Sequence, residues 1–531
     1  MEAASFRTYF VCGLGALFFC FIGGIILLNL SHSDVGADAV RGRRPNIVYI
    51  LTDDQDVTQG GMTPMVKARK LLGDNGVTFQ NMFVNTPLCC PSRASILTGK
   101  YIHNHGTRNN SISGNCSSPV WQQSQEVNGF VTYLKKQNYK TFFAGKYLNQ
   151  YGKKSAGGVQ HVPPGWDWWT GLVGNSVYYN YRLSVNGTKE KHGGVYEEDY
   201  LTDLIGKQAK DFLHLQNEAS PFFMMLSTPA CHGPFTHAPH YSNEFENIKP
   251  PRGGSYNVHG KDKHWLVRNA PHPLSKESIS FLETAFVNRW RTLLSVDDMV
   301  ENVVNILTEK NLIDNTYIFL TSDNGFHSGQ FSLPNDKRQL YEFDIRVPLL
   351  VRGPNISPNT IKKQPALNID LAPTFIELAG LLPPSQMDGV SLVPLLFQDA
   401  FHAENMKWPR DTMLIEHFGE FQDQVAGCPQ FNHQQVTNCH PDCVCEDSRN
   451  NTYACIRTVN ESENTIFCEM KDSEAFMEYY DLTADPYQLK NIAYSAEPSI
   501  IRQKQYLLQK MTRCSGQSCV RPSGLYEYTE R

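Results

Sequence analysis

Nowhere in its 531 residues does this chain gather lysine and arginine into a block, so it lacks the basic footprint of a nucleic-acid binder. Lys and Arg number 48 against 53 Asp and Glu, for a formal net charge of −5. An anionic ligand must therefore be met by local cations or a metal, not by a basic surface. No internal repeat or low-complexity segment follows the N-terminal region, and the mix of apolar, charged, Gly and Pro residues is that of an ordinary globular protein. The length allows a large core and two domains. Cysteine is scarce through the middle, where Cys89, Cys90, Cys116 and Cys231 precede Ala400. The tail then carries Cys428, Cys439, Cys443, Cys445, Cys455, Cys468, Cys514 and Cys519, which read as a disulfide framework in an oxidising compartment. Zinc has little footing at Cys443-Val444-Cys445, since no matching pair at zinc-finger spacing accompanies it.

Residues 9–30 are nearly all apolar, preceded by Arg7 and followed by Ser31-His32-Ser33-Asp34. Ala37-Asp38-Ala39 is a small-x-small site of the kind signal peptidase cuts. Residues 1–39 are expected to be a signal peptide; the run is long for one and nearly spans a bilayer, so a retained signal anchor is the alternative. Either sends the rest of the chain into the secretory pathway. Sequons at Asn109, Asn115, Asn186, Asn355, Asn450 and Asn460 agree with that route.

The body of the chain, expected over 44–398, is punctuated by apolar runs of the kind that form buried parallel strands. Ile47-Val48-Tyr49-Ile50-Leu51 ends in Thr52-Asp53-Asp54-Gln55. Two adjacent acids repel unless a cation neutralises them, and strand carboxyl ends are where α/β sheets bind ligands. Tyr139 to Ala144 closes on Gly145-Lys146-Tyr147, and 221–226 leads to Thr228-Pro229-Ala230-Cys231-His232-Gly233-Pro234, where two prolines restrict His232. Tyr317-Ile318-Phe319-Leu320 ends in Asp323-Asn324-Gly325-Phe326-His327, and Lys337-Arg338 follows. The spacing predicts an amphipathic helix over 201–215 and a long helix within 281–307, whose Asp297-Asp298 pair reads as a solvated or capping face. The tail, 399–531, has short strand patterns consistent with a small antiparallel sheet.

The most informative stretch is Pro87-Leu88-Cys89-Cys90-Pro91-Ser92-Arg93-Ala94-Ser95-Ile96-Leu97-Thr98-Gly99-Lys100. A helix is predicted at Ala94 to Leu97, and a helix N-terminus favours an anion. The whole string resembles the sulfatase signature, Cys-x-Pro-Ser-Arg followed by Ala-Ser-x-Leu-Thr-Gly-Lys, and every position matches. In the signature the cysteine lies two residues before proline, so Pro91 selects Cys89 and leaves Cys90 as an expected free, buried cysteine.

The sulfatase resemblance covers nearly the whole chain after residue 39. It implies an alkaline-phosphatase-like α/β/α sandwich with a smaller C-terminal α+β domain built on an antiparallel sheet. It also implies that Cys89 is oxidised to formylglycine by a formylglycine-generating enzyme, and that one Ca²⁺ is held by Asp53, Asp54, residue 89, Asp323 and Asn324. Arg93, Lys146, His232 and Lys337 would hold sulfate oxygens or handle protons. The aldehyde hydrate would attack sulfur, the sugar alcohol would leave, and the second hydroxyl would then expel sulfate. Leu148 departs from the family, which often has His there; Asn149, His103 or His105 would stand in, with His327 as a further substrate contact. In the tail, Tyr480-Asp481-Leu482, Asp485-Pro486 and Asn491 are also family features.

Within the family the chain is similar to the branch that removes 6-O-sulfate from N-acetylglucosamine. Endosulfatases of that branch carry a long basic insert that this chain lacks, which implies exo action at non-reducing ends of heparan and keratan sulfate, in the lysosome. Golgi anchoring and secretion are the alternatives, and a homodimer is one option for its assembly. A phosphatase or phosphodiesterase of the same superfamily, or a sulfatase acting on another sulfated glycan, is the runner-up activity, and a glycan-binding protein without catalysis is the non-enzyme reading.

Overall fold

The computed structural model describes residues 43–397, 408–420, 446 and 448–521. The apolar run at 9–30, the cleavage site at 37–39, the expected domain boundary near 398, and Cys428, Cys439, Cys443 and Cys445 lie outside these residues. Among the described residues no helix is long and apolar enough to cross a membrane.

The apolar run after Pro45 forms β1 (Asn46–Thr52), buried along its whole length. Both faces of the strand are covered, so its sequence does not alternate. Nine more strands share its sheet: β2 (Val77–Phe79), β3 (Lys140–Gly145), β4 (Trp168–Leu172), β5 (Arg182–Val185), β6 (Thr188–Lys191), β7 (Phe222–Ser227), β8 (Thr316–Ser322), β9 (Leu349–Arg352) and β10 (Thr360–Lys362). Their order is β10-β2-β9-β8-β1-β7-β3-β4-β5-β6. The five central strands, β8-β1-β7-β3-β4, run parallel. Leu51 pairs with Ser227 and Thr321, and Gly145 pairs with Ser227 and Gly171, so all five carboxyl ends finish level.

Helices α1 (Cys89–Thr98), α2 (Phe130–Lys136), α3 (Leu201–His214), α4 (Lys276–Glu309), α5 (Leu371–Leu378) and α6 (Pro498–Met511) are the main helices around the sheets. Val48 and Ile50 of β1 pack with Ile205 and Phe212 of α3 and with Leu293 and Val300 of α4. Ile47, Tyr49 and Leu51 face the other way, onto Ile96 of α1, Phe130 of α2 and Phe375 of α5. The result is the expected α/β/α sandwich. Asp297 does cap a helix end: its carboxylate accepts from the main-chain N–H groups of Lys67 (2.9 Å) and Ala68 (2.7 Å), while Asp298 pairs with the Lys67 ammonium at 2.7 Å.

The tail forms a four-stranded antiparallel sheet, β11 (Thr412–His417), β12 (Tyr453–Val459), β13 (Asn464–Met470) and β14 (Met477–Asp481), in that order. Met413, Ile415, Ile456 and Phe467 join the same apolar cluster as Tyr49 and Phe375, so the tail sheet and the sandwich share one core. Cys455–Cys468 links β12 to β13, and Cys514–Cys519 follows α6. One expectation is corrected: Cys90 is not a free cysteine but is disulfide-bonded to Cys116. The intervening chain doubles back beside α1, a path that no local pattern announces.

Candidate active site

Everything of chemical interest gathers at the level carboxyl ends of the parallel strands. After β1, the Asp53 N–H donates to the Ala230 carbonyl (2.8 Å), and the Cys231 N–H donates to the Asp53 carbonyl (2.7 Å). These bonds stitch the turn after β1 to the loop after β7. Asp54 then adopts a left-handed backbone, φ 62°, which non-glycine residues adopt sparingly. Its N–H donates to Asp323 Oδ1 (3.1 Å), and Asn324 Nδ2 donates to Asp54 Oδ1 (2.7 Å). Carboxylate oxygens of Asp53, Asp54 and Asp323 all lie within 4.8 Å of one another.

Helix α1 starts at Cys89 itself, earlier than the expected Ala94, with Leu88 extended just before it. That start places Cys89 Sγ 3.7 Å from Asp53 Oδ1 and 4.0 Å from Asp54 Oδ1. Arg93, one turn further on, donates from Nε to Asp323 Oδ2 (2.7 Å) and from Nη1 to the Lys146 carbonyl and Ser227 Oγ (2.7 Å each). Its Nη2 lies 3.6 Å from Asp53 Oδ2. The Lys146 ammonium donates to Asp53 Oδ2 (2.6 Å) and the Lys337 ammonium to Asp54 Oδ2 (2.7 Å). His232 Nδ1 lies 2.6 Å from the Gly233 carbonyl and so donates, leaving Nε2 facing Asp54 Oδ2 at 3.9 Å. The nine residues expected to act or to bind metal therefore share one cluster.

Burial alone would raise all three carboxyls. Lys146 above all, with His232, Arg93 and Lys337, instead holds Asp53 well below the usual carboxylate range. Lys337 and His232 keep Asp54 below its ordinary value. For Asp323, burial and the neighbouring Asp53 outweigh Arg93 and push it up to about 6. Burial pushes the Cys89 thiol up to about 12, with Lys146 and Lys337 only partly offsetting it. Burial, then Lys337, lowers His232.

Three carboxylates and three cations balance one another here. Asn324 Oδ1 is buried and accepts no hydrogen bond among the described residues. A spare hard acceptor beside three carboxylates is the donor set of Ca²⁺ or Mg²⁺ rather than zinc, so these residues fit such a cation. A bound divalent ion would tip the balanced cluster to net positive, the sign an anionic ester requires.

The weaker expectations fare differently. His103 is held through Nδ1 by Glu416 (2.9 Å) and through Nε2 by the Cys514 carbonyl (2.9 Å). His105 faces Ser95 Oγ at Nε2 (2.9 Å) and accepts from the Thr107 N–H at Nδ1 (3.0 Å). His327 lies between Asp344 (3.0 Å) and Glu446 (3.2 Å). With both ring nitrogens engaged, these three brace the fold. Asn149 Nδ2 donates to Asn175 Oδ1 (3.2 Å), beside a residue that sequence reasoning missed: the Ser176 hydroxyl donates to Asp53 Oδ2. Ser176 follows β4, the fifth parallel strand, whose short Trp168–Leu172 span has no long apolar run to signal it. Among the sequons, Asn186, Asn355 and Asn460 are exposed, whereas Asn109, Asn115 and Asn450 are half-buried.

Fold and site together define an α/β protein whose parallel strand ends gather three carboxylates, three cations and a cysteine. The family model described as Sulfatase matches residues 45–381, and the chain belongs to the sulfatase family. It is 52% identical over 491 residues to the N-acetylglucosamine-6-sulfatase of Capra hircus, covering 92% of this chain and 87% of that protein. Against the N-acetylglucosamine-6-sulfatase of Homo sapiens it is 52% identical over 483 residues, covering 90% and 86%. Among solved structures it resembles one described as in complex with its substrate D-glucosamine-2-N,6-O-disulfate. That likeness has a TM-score of 0.70, covers 91% of this chain and 99% of the other, and at 23% identity bears on the fold.

Proposed function

We propose that this protein hydrolyses the 6-O-sulfate ester of N-acetylglucosamine at the non-reducing ends of heparan sulfate and keratan sulfate, using formylglycine made from Cys89 and one calcium ion. The observation that carries the reading is 52% identity to N-acetylglucosamine-6-sulfatases over 92% of the chain, combined with a complete cluster at the strand ends. The three disulfides among the described residues support passage through an oxidising compartment, and the proposed destination is the lysosome. We place the catalytic domain at 44–398 and a C-terminal domain at 399–531.

Asp53, Asp54, Asp323 and the free Oδ1 of Asn324 would hold the calcium together with residue 89. Bound there, calcium would supply positive charge against the sulfate oxygens, and formylglycine as its hydrate would supply the nucleophile, the aldehyde being restored when sulfate leaves and hydrated again by water. The chain's own side chains do the rest. Lys146 and Lys337 hold their ammonium groups against Asp53 and Asp54, the two carboxylates nearest Cys89, and would meet charge on the sulfuryl oxygens. Arg93 locks Asp323 to the Lys146 carbonyl and Ser227, holding three strand ends in one arrangement. His232, fixed at Nδ1 by the Gly233 carbonyl, exchanges a proton at Nε2.

Purified protein should release sulfate from N-acetylglucosamine 6-sulfate and fail to release phosphate from a phenyl phosphate. Peptide mass should show residue 89 as the aldehyde, with Cys90 still joined to Cys116. Equal or faster release of 2-O-sulfate from iduronate, phosphatase activity of comparable rate, or full activity with an intact thiol at residue 89 would overturn the reading.

A further inference from the structure

Against the main chain of the Asp53-Asp54 turn lies a charged side chain from the long helix α4. Arg289 is 3% exposed. Its Nη2 donates to the Asp54 carbonyl at 2.7 Å and to Asp56 Oδ1 at 3.0 Å, and lies 3.5 Å from Cys231 Sγ. Its guanidinium carbon sits 4.0 Å from the centre of the Phe326 ring. One guanidinium thus touches the turn after β1, the loop after β7 that carries His232, and the loop after β8 that carries Asp323 and Asn324. We propose that Arg289 is a positioning residue that fixes the Asp54 turn and thereby sets the affinity of the cluster for calcium. The proposal rests on the calcium reading of Asp53, Asp54, Asp323 and Asn324.

The backbone at Asp54 supplies the reason. In this left-handed conformation the carboxylate meets Asn324 and Lys337 while the carbonyl accepts from Arg289. A buried carbonyl needs a donor, and a charged donor makes the stronger bond. Asp56 neutralises the guanidinium and carries the bracing onward: its Oδ2 accepts from the Gln59 N–H (2.7 Å), and Gln59 Nε2 donates to the Phe326 carbonyl (2.5 Å). Among the described residues Nη2 alone makes the polar contacts, and it is held there by a planar guanidinium that lies on Phe326; lysine lacks that face, so it does not replace arginine here.

The test uses the full chain carrying Arg289→Lys or Arg289→Met, stripped of metal and titrated with Ca²⁺ by calorimetry. Both variants should bind calcium about 10- to 100-fold more weakly than wild type, the usual cost of losing a residue that orients metal ligands. At saturating calcium, kcat and KM for N-acetylglucosamine 6-sulfate should return close to wild type, which a general loss of structure would not permit. Wild-type calcium affinity in the variants, or a kcat loss that calcium does not restore, would overturn the role. Should Arg289→Met fail to fold, Phe326→Leu keeps apolar fill beneath the guanidinium but removes the ring; it should also weaken calcium binding, and unchanged affinity would overturn the role. A wild-type protein that binds no calcium would instead overturn the reading of the cluster, and the Arg289 role with it.

Discussion

Replacing Cys90 and Cys116 together with alanine isolates what the disulfide does from what the neighbouring Cys89 does. The bond closes a loop with a sequence separation of 26. The loop-closure entropy removed from the unfolded chain corresponds to about 3.5 kcal/mol. Unfolding entropy grows at about 2 cal/mol/K per residue, so for a chain of this length the thermal midpoint should fall by about 3–4 °C. Activity should fall far less, because the first turn of α1 is also held by bonds that survive. The Cys90 N–H donates to Asn110 Oδ1 (2.9 Å), the Asn110 N–H to Glu420 Oε1 (3.0 Å), and Arg338 Nη2 to Glu420 Oε2 (2.6 Å). Scanning fluorimetry reads the midpoint, and a non-reducing peptide map of the wild type should contain the Cys90 and Cys116 peptides as one species. Free thiols at both positions in the wild type, or an unchanged midpoint in the double variant, would refute the assignment.

Two further outcomes follow from the geometry. His232→Ala should lower kcat by roughly 10²–10⁴ if Nε2 transfers a proton, whereas a loss confined to KM would make it a binding residue. Burial alone would lower the pKa of His327, but Asp344 and Glu446 hold it well above its ordinary 6.5. That contribution to stability is complete below about pH 6.5, where the unfolded imidazole is also protonated, and is lost as pH rises through the folded value. Thermal midpoints of the wild type should therefore decline as pH is raised above 6.5, and His327→Gln should flatten that decline; parallel curves would count against the charge on His327.

Residues whose surroundings are uniform announce themselves in sequence. β1, β7 and β8 are buried on both faces, so their apolar runs are continuous, and the parallel register then brings Asp53, Asp54, Asp323 and Asn324 to one edge without further information. Cys89 and Arg93 were legible for a different reason: one short string has to supply both the cysteine and the helical turn that aims the arginine. What stayed hidden depends on distant chain. Arg289 sits in an amphipathic helix, where an arginine ordinarily faces solvent, and only the packing of α4 on the sheet carries it beneath Asp54. His103 and His327 are residue types suited to catalysis, yet their partners Glu416 and Glu446 come from far along the chain, in and beside the tail sheet. The physical distinction is hydrogen-bonding capacity left over after folding. His327 has both ring nitrogens engaged, whereas Asn324 donates to Asp54 and keeps a buried Oδ1 without a partner among the described residues, so a polar residue at a strand end is available as a ligand only when the fold leaves it an acceptor to offer.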